Sequence, residues 1–369
     1  MSTATDANYM AQALALARLG WYTTAPNPRV GCVLVKDHQI IAEGWHQWAG
    51  QAHAEVAALS VLSDPKAANG ATAYVSLEPC SHHGRTGPCS QALIAAGVSR
   101  VVIAMQDPNP LVAGNGIKQL RDAGVQVDCG LLQADAEQLN RGFIKRMTRG
   151  LPYIRSKLAM SLDGRTALAS GESQWITSSE SRQDVQRFRA QAGAIVTGID
   201  TVLADDCALT ARVDFAHKPP LRVVLDSRLR MPLDAKMLQL PGETWVLTVV
   251  DQPQQQQRLQ AAGAKVQQVA AKNGRIDLLQ AVKWLAQQQV NEVWVEAGAT
   301  LNGALLDTNL VDEWLIYTAP CVLGNTARAL FQMPGLGSMA DKKQFKFSEV
   351  RQIGTDLRLR CTIPNQKDE

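Results

Sequence analysis

Apolar residues fall into short runs of changing period along the first 150 positions. Residues 7–19 carry them at helical spacing, and Gly20 stops the run. Two apolar runs, Val30–Val35 and Ile40–Trp45, flank a short polar turn at Asp37 and predict a hairpin. Helical spacing returns at Ala54–Leu62, Cys89–Ala96, Ile117–Ala123 and 133–148. Between these helices lie the β-rich runs Thr72–Leu77, Val101–Met105 and Val125–Cys129. From residue 30 to 130 the order is β-β-α-β-α-β-α-β, which predicts a largely parallel sheet with helices on its faces.

Arg149-Gly150-Leu151-Pro152 punctuates the chain, so a boundary is placed there, with domains over 1–149 and 150–369. The β/α alternation then restarts. Tyr153–Leu158 reads as a strand followed by a turn at Asp163-Gly164. Thr177 with Glu180 three residues on has the capping-box pattern and opens a helix to about Ala192. Strands are expected near 194–197, 221–225, 244–250, 291–296 and 313–318, and a terminal hairpin over 345–350 and 357–362. The glutamine-rich stretch at 252–257 reads as a polar surface connection. No internal repeat relates the halves.

Composition narrows this picture. The chain has 369 residues, more than one core usually serves, so two domains are the prior expectation. A net charge of only +3, with no Lys/Arg run, argues against a nucleic-acid footprint. The first twenty residues lack the basic and apolar regions of a secretory signal, and no stretch has the length of a membrane span. Seven scattered cysteines, an odd number, point to a reducing cytosol.

The informative cluster is His53-Ala54-Glu55, then Glu78-Pro79-Cys80, then Cys89. His53 and Glu55 open one helix, Cys80 follows a strand, and Cys89 opens the next helix. Helix N-termini favour thiolates, the form that zinc binds. One His and two Cys leave a tetrahedral position open, as a catalytic zinc requires, and a water there ionises near neutrality. Glu55 is placed to shuttle protons. His-x-Glu followed by Pro-Cys, a spacer and Cys is the pattern of zinc nucleobase deaminases, in which the spacer is usually two residues. Eight separate Cys80 from Cys89. Cys32, Cys129, Cys207, Cys321 and Cys361 read as core residues. His82 and His83 stand too close to Cys80 to serve as spare ligands by default.

The long spacer carries a resemblance. Thr72 to Cys89 closely resembles the bifunctional riboflavin-biosynthesis deaminase/reductase family, as do Pro26-Asn27-Pro28, Gly44-Trp45-His46 and Gln106-Asp107-Pro108-Asn109-Pro110. The second half matches through Lys157-Leu158, Asp163-Gly164-Arg165, Trp175-Ile176-Thr177, Asp205-Asp206 and Val295-Glu296-Ala297-Gly298. The likeness covers essentially the whole chain. It implies an α/β protein of two domains: a cytidine-deaminase-like three-layer α/β/α domain, then a dihydrofolate-reductase-like α/β domain. The implied chemistry is zinc-dependent removal of the 2-amino group of a phosphoribosylamino diaminopyrimidinone. NADPH-dependent reduction of the ribosyl group to ribityl follows.

By resemblance, Asn27, His46, His82 and Arg85 contact the pyrimidine. The residues matching NADP positions are Ala159, Trp175, Thr201, Asp205 and Ser227, with Gly298, Ala299, Thr300, Leu301, Asn302, Gly303 and Ala304. Ser173, Arg189, Leu209, Arg212 and Glu296 match substrate positions. Arg85, Arg189 and Arg212 are suited to phosphate. Two departures are Gly87, where a second proline is common, and Ala297, where a glycine is common. From the residues alone, this half has no GxGxxG. Residues 298–304, after an apolar strand, could cradle a pyrophosphate or be an ordinary turn. Lys157 and Asp205 are candidates for proton handling. The family tends to form homo-oligomers, and its partners are small phosphorylated pyrimidines, with neither nucleic acid nor membrane. The other readings are a tRNA or nucleoside deaminase fused to an unrelated domain, and a binding protein with a structural zinc. The long spacer and the missing basic face oppose the first; Glu55 and the open position oppose the second.

Overall fold

Alternation along three strands dictates how the N-terminal half is layered. In β1 (Gly31–Lys36), Cys32 and Leu34 join one apolar cluster while Val33 and Val35 join another, and all four are buried. In β3 (Thr72–Val75) and β4 (Arg100–Ile103), Ala73, Val75, Val101 and Ile103 belong to the first cluster, Tyr74 and Val102 to the second. Strands buried on both faces need helices on both. Residues of α2 (Ala54–Ser60), α3 (Cys89–Ala95) and α4 (Asn115–Asp122) cover the Cys32 face; α1 (Ala4–Leu19) and α5 (Gln133–Arg149) cover the other. With β2 (Gln39–Trp45) and β5 (Gln126–Cys129) at the edges, the order is β2-β1-β3-β4-β5. β1 runs antiparallel to β2 and β3, whereas β3, β4 and β5 are parallel. The β1–β2 hairpin turns at Asp37-His38, both with positive φ, as a right-twisted two-residue connection requires.

This computed structural model describes residues 4–81, 87–110 and 112–364. The chain divides into two units, residues 1–150 and 151–369, at Gly150, the left-handed C-cap of α5. In the second unit, β6 (Tyr153–Ser161) leads through β7 (Arg165–Ala167) to α6 (Ser179–Gln191). Then come β8 (Ala194–Gly198), α7 (Ile199–Asp205), β9 (Leu221–Leu225), β10 (Thr244–Thr248), α8 (Pro253–Ala261) and β11 (Ala264–Gln268). A small hairpin, β12 (Ala271–Lys272) and β13 (Arg275–Ile276), precedes α9 (Leu278–Gln287), β14 (Glu292–Glu296), α10 (Ala299–Thr308) and β15 (Glu313–Ala319). The chain closes with β16 (Arg328–Ala329), β17 (Lys346–Ile353) and β18 (Asp356–Thr362).

Nine of these strands form one sheet, ordered β11-β10-β9-β8-β14-β6-β15-β18-β17. The seven from β11 to β15 are parallel, and the terminal hairpin is antiparallel. From β8 the chain winds outward to β11, then returns to lay β14 on the other side of β8. That reversal is a topological switch point, where the carboxyl ends of parallel strands leave a crevice.

Several sequence expectations need correction. The stretch at 252–257 is polar and largely exposed, as expected, but it is helical: residues 253–257 begin α8, with Pro253 in its first turn and only Leu259 buried. One buried side chain leaves no helical period to read. The cap of α6 is Ser178, not Thr177; its hydroxyl accepts from Ser181 N, and its own N–H donates to Asp356 at 2.8 Å. The second acceptor of this cap thus comes from β18, so local spacing misplaced it by one residue. Of the five cysteines expected in the core, Cys32 and Cys361 are buried, Cys207 and Cys321 are partly buried, and Cys129 is exposed on edge strand β5. Among the described residues, no helix is long and apolar enough to cross a membrane.

Candidate active sites

His53 is the N-cap residue of α2, and Cys89 is the first residue of α3. Cys80 lies beyond the end of β3. His53 Nδ1 stands 3.5 Å from Cys80 Sγ and 3.4 Å from Cys89 Sγ, and all three donor atoms lie within 4.8 Å of one another. Tetrahedral zinc, with Zn–S about 2.3 Å and Zn–N about 2.05 Å, separates its nitrogen and sulfur ligands by about 3.6 Å. The donor set therefore fits zinc in both chemistry and spacing. Hydrogen bonding between the two thiols lowers Cys80 below the ordinary thiol range and drives Cys89 above it. The first amide of α3 also donates to Cys80 Sγ, at 3.4 Å.

Glu55 is 3 % exposed, in the first turn of α2, and burial pushes its carboxyl up to about 7. Beside it, His46 is 2 % exposed, with its ring edge-on to His53 at 5.5 Å. Nδ1 faces the Ala52 carbonyl at 2.9 Å and must donate, so Nε2 is left to accept from the Asn27 amide at 3.1 Å. Burial lowers its pKa, which favours this neutral ring. Asn27 and His46 are thus a fixed pair at the metal centre. His82 and Arg85 lie outside the described residues.

Sequence reading missed Glu78. Its carboxylate accepts four backbone N–H groups, from Asp107 at 3.1 Å, Gly114 at 3.0 Å, Gly116 at 2.9 Å and Ile117 at 3.2 Å. The donors lie 29 to 39 positions away, so only the Glu-Pro-Cys adjacency hinted at a role. Gly116 allows the approach, since a Cβ there would lie 1.9 Å from the Pro79 carbonyl oxygen. Glu78→Ala is expected to cost about 2 kcal/mol, because buried amides lose their acceptor. Thermal unfolding should show a lower Tm together with weaker zinc retention; unchanged zinc retention would dissociate Glu78 from the ligand loop.

In the second unit, a cleft of about 2090 Å³ opens at the switch point. A drug-sized ligand occupies a pocket of a few hundred to about 1,000 Å³, so this one has room for two molecules. Every second-half candidate lines it except Gly303. A Cβ on Gly303 would meet the Gln332 carbonyl oxygen at 2.0 Å, so its glycine serves helix packing. The Asn302 side chain is likewise internal, accepting from Ser156 Oγ and donating to the Ala297 carbonyl. Ala297 packs on the core. Gly298, Ala299 and Thr300 open α10 along the cleft, and Thr201 lies in the first turn of α7. Backbone amides from two helix starts suit a pyrophosphate.

Arg189 departs from the expected phosphate role. Its guanidinium grips Glu296 in two parallel bonds, at 2.5 and 2.7 Å, while Trp294 Nε1 donates to the same carboxylate at 2.7 Å. Burial alone would raise Glu296, but Arg189 prevails and holds it at about 2. Arg212, exposed on the rim, has no side-chain partner among the described residues and remains open to a phosphate. Lys157 lies beside Glu296 across β6 and β14; burial lowers its pKa and the carboxylate opposes that shift. Because Glu296 falls from an ordinary 4.5 to about 2, its contribution is complete above 4.5 and is lost as pH drops through 2, about 3 kcal/mol in all. Melting curves between pH 5 and pH 2 should therefore fall less steeply for Glu296→Gln than for wild type; equal slopes would refute this assignment.

A metal centre of the cytidine-deaminase type and a nucleotide-sized cleft in a second α/β unit define a two-domain deaminase and reductase. Residues 3–105 match the cytidine and deoxycytidylate deaminase zinc-binding region, and residues 152–359 match the RibD C-terminal domain. The chain is 52 % identical over 364 residues to riboflavin biosynthesis protein RibD of Escherichia coli, covering 95 % of this chain and 98 % of that one. It is 46 % identical to the Haemophilus influenzae protein, over 97 % of each. A solved RibD structure from Acinetobacter baumannii superposes with a TM-score of 0.91 at 47 % identity, covering 98 % of this chain and 99 % of that one. The chain belongs to the RibD family of bifunctional riboflavin-biosynthesis enzymes, which combine a zinc-binding deaminase domain with an NADPH-dependent reductase domain.

Proposed function

We propose that residues 1–149 hydrolytically deaminate 2,5-diamino-6-(5-phosphoribosylamino)pyrimidin-4(3H)-one. Residues 150–369 then reduce the ribosyl group of the resulting 5-amino-6-(5-phosphoribosylamino)uracil to ribityl. The observation that carries this reading is the His53, Cys80, Cys89 donor set with buried Glu55 beside it. The substrates follow from a Thermotoga maritima relative, described as a diaminohydroxyphosphoribosylaminopyrimidine deaminase/5-amino-6-(5-phosphoribosylamino)uracil reductase. It is 30 % identical over 98 % of this chain, with a TM-score of 0.84.

His53, Cys80 and Cys89 would hold zinc, which when bound lowers the pKa of a water to about 7. Glu55, with its pKa near neutrality, takes a proton from the attacking water and returns it to the departing amino nitrogen. Asn27 and the neutral His46 ring orient the pyrimidine, with His82 and Arg85 as its further partners. In the reductase, Ala159, Trp175, Thr201, Asp205 and Ser227, with the starts of α7 and α10, would hold NADPH, which when bound would supply the hydride. Ser173, Leu209 and Arg212 bind the substrate. Arg189 fixes Glu296, and Lys157 delivers the proton that accompanies reduction. Asp205, exposed at the rim, is the less suited of the two proton-handling candidates. The protein works in the cytoplasm as a homo-oligomer on small phosphorylated pyrimidines, and not on nucleic acid.

A coupled assay tests this reading by scoring ammonia release and NADPH oxidation separately. Omitting zinc should stop ammonia release, and omitting NADPH should leave it intact. A purified protein that leaves the diaminopyrimidinone phosphate unchanged with both cofactors present would refute the proposal.

A further inference from the structure

We infer that Asn140, on α5, is a positioning residue for the deaminase reaction, holding the loop at 26–29 so that Asn27 meets the substrate. The inference rests on Asn27 contacting the pyrimidine as proposed above. The metal donors and Glu55 all lie before residue 90, whereas α5 begins only at Gln133. The helix thus stands outside the stretch that carries the metal chemistry, yet it is bonded to the loop that carries Asn27.

Asn140 is 1 % exposed and grips one residue of the loop at both backbone groups. Its Oδ1 accepts Arg29 N at 2.8 Å, and its Nδ2 donates to Arg29 O at 2.9 Å. An amide side chain is suited to this because it offers an acceptor and a donor side by side. Arg29 returns the contact, donating Nη1 to the Leu139 carbonyl at 2.6 Å, with its guanidinium 4.7 Å from the centre of the Trp21 ring. α5 leaves helical geometry at Asn140 itself, with φ −108° and ψ 16°, where this outside donor enters the run of helix carbonyls. Asparagine in mid-helix weakens a helix, so its place here answers to the loop and not to α5. A second fastening lies at the other end of the loop, where Arg146 donates to the Pro26 carbonyl at 3.3 Å. Asn27 falls between the two. Its backbone N–H donates to Thr24 O at 2.9 Å, and its side chain reaches His46 Nε2 at 3.1 Å. His46 N in turn donates to Val30 O at 3.0 Å, one residue past the Asn140 grip. α5 therefore sets where the Asn27–His46 pair stands relative to His53.

The test is a double-mutant cycle on the full chain, read by ammonia release from the diaminopyrimidinone phosphate. Asn140→Ala should raise KM about tenfold, with a smaller fall in kcat and zinc content unchanged. If Asn140 acts through Asn27, the double variant Asn27→Ala/Asn140→Ala should be no worse than Asn27→Ala alone, whereas independent losses would multiply. Ile144→Ala controls for general loosening of α5: it trims a side chain packed on the core behind β1, touches nothing in the loop, and should keep KM near wild type. Hydrogen exchange gives a readout apart from activity. The amides of residues 24–31 should exchange faster in Asn140→Ala and not in Ile144→Ala. Should Asn140→Ala fail to fold, Asn140→Asp carries the same cycle, since it keeps the acceptor for Arg29 N and loses the donor. Losses that multiply, an unchanged KM, or an equal rise in KM in Ile144→Ala each overturn the inference while leaving the proposed deamination standing. A wild type that releases no ammonia refutes that deamination, and the inference falls with it.

Discussion

Glu55→Gln is expected to stop ammonia release, by about a thousandfold or more in kcat, while the protein keeps one zinc per chain. General acid–base groups contribute about 10²–10⁴-fold, and the amide can neither take nor return the proton. Glu55 points at the metal centre from inside α2, where it is 3 % exposed, so the isosteric amide fits the same space. Three readouts separate the outcomes. Metal analysis should be unchanged, NADPH oxidation with the deaminated substrate should be unchanged, and only ammonia release should collapse. Zinc lost along with activity would make Glu55 a structural prop for the ligands instead of the group that moves protons.

The complementary substitution, Lys157→Met, should slow NADPH oxidation by about a thousandfold and leave ammonia release alone. Methionine keeps most of the length and removes the charge. Lys157 is suited to deliver a proton because burial lowers its pKa while Glu296, held ionised by Arg189, keeps an anion beside it. The informative split is between kcat and cofactor binding. NADPH affinity should hold while turnover falls, since Lys157 is assigned to the reacting end of the substrate. Affinity and turnover falling together would place Lys157 in cofactor binding, and no loss of turnover would remove it from the reaction.

How much of this was legible in the chain depended on sequence distance. The metal donors were readable because zinc chemistry imposes residue types at short spacing around two helix starts, at His53 and at Cys89. The layers of the first sheet followed from short apolar strand runs alternating with helices, which called for helices on its faces. Elements with little apolar burial escaped: α8 is mostly glutamine, with Leu259 its one buried residue, and β11 is largely polar. Tertiary partners escaped as well. Arg189 reads as a free phosphate ligand until Glu296, 107 positions later, is seen to hold it. Glu78 reads as part of a motif until its four amides converge from beyond residue 106. The β12–β13 hairpin is six residues long, two to a strand, too short for any periodicity to mark it.

The four amides on Glu78 also bear on which loops of the first unit can change length. The peptide leaving β3 keeps backbone bonds to its neighbours at Ser76 and Glu78, through Gly31 and Met105, and Cys80 beyond them must stay within a few tenths of an ångström of its metal distance. Glu78 fastens that peptide to the approach and first turn of α4, through Asp107, Gly114, Gly116 and Ile117. Ordinary surface loops accept insertions because few of their atoms are committed. The run from Asp107 to Gly116 is committed at three of its amides, so one added residue there would move the carboxylate's anchor and, through Pro79, the Cys80 sulfur. Length variation in this domain is thus expected to concentrate elsewhere, for instance in the turn at Asp64–Gly70, where Gly70 has nothing within 4 Å of its Cβ position.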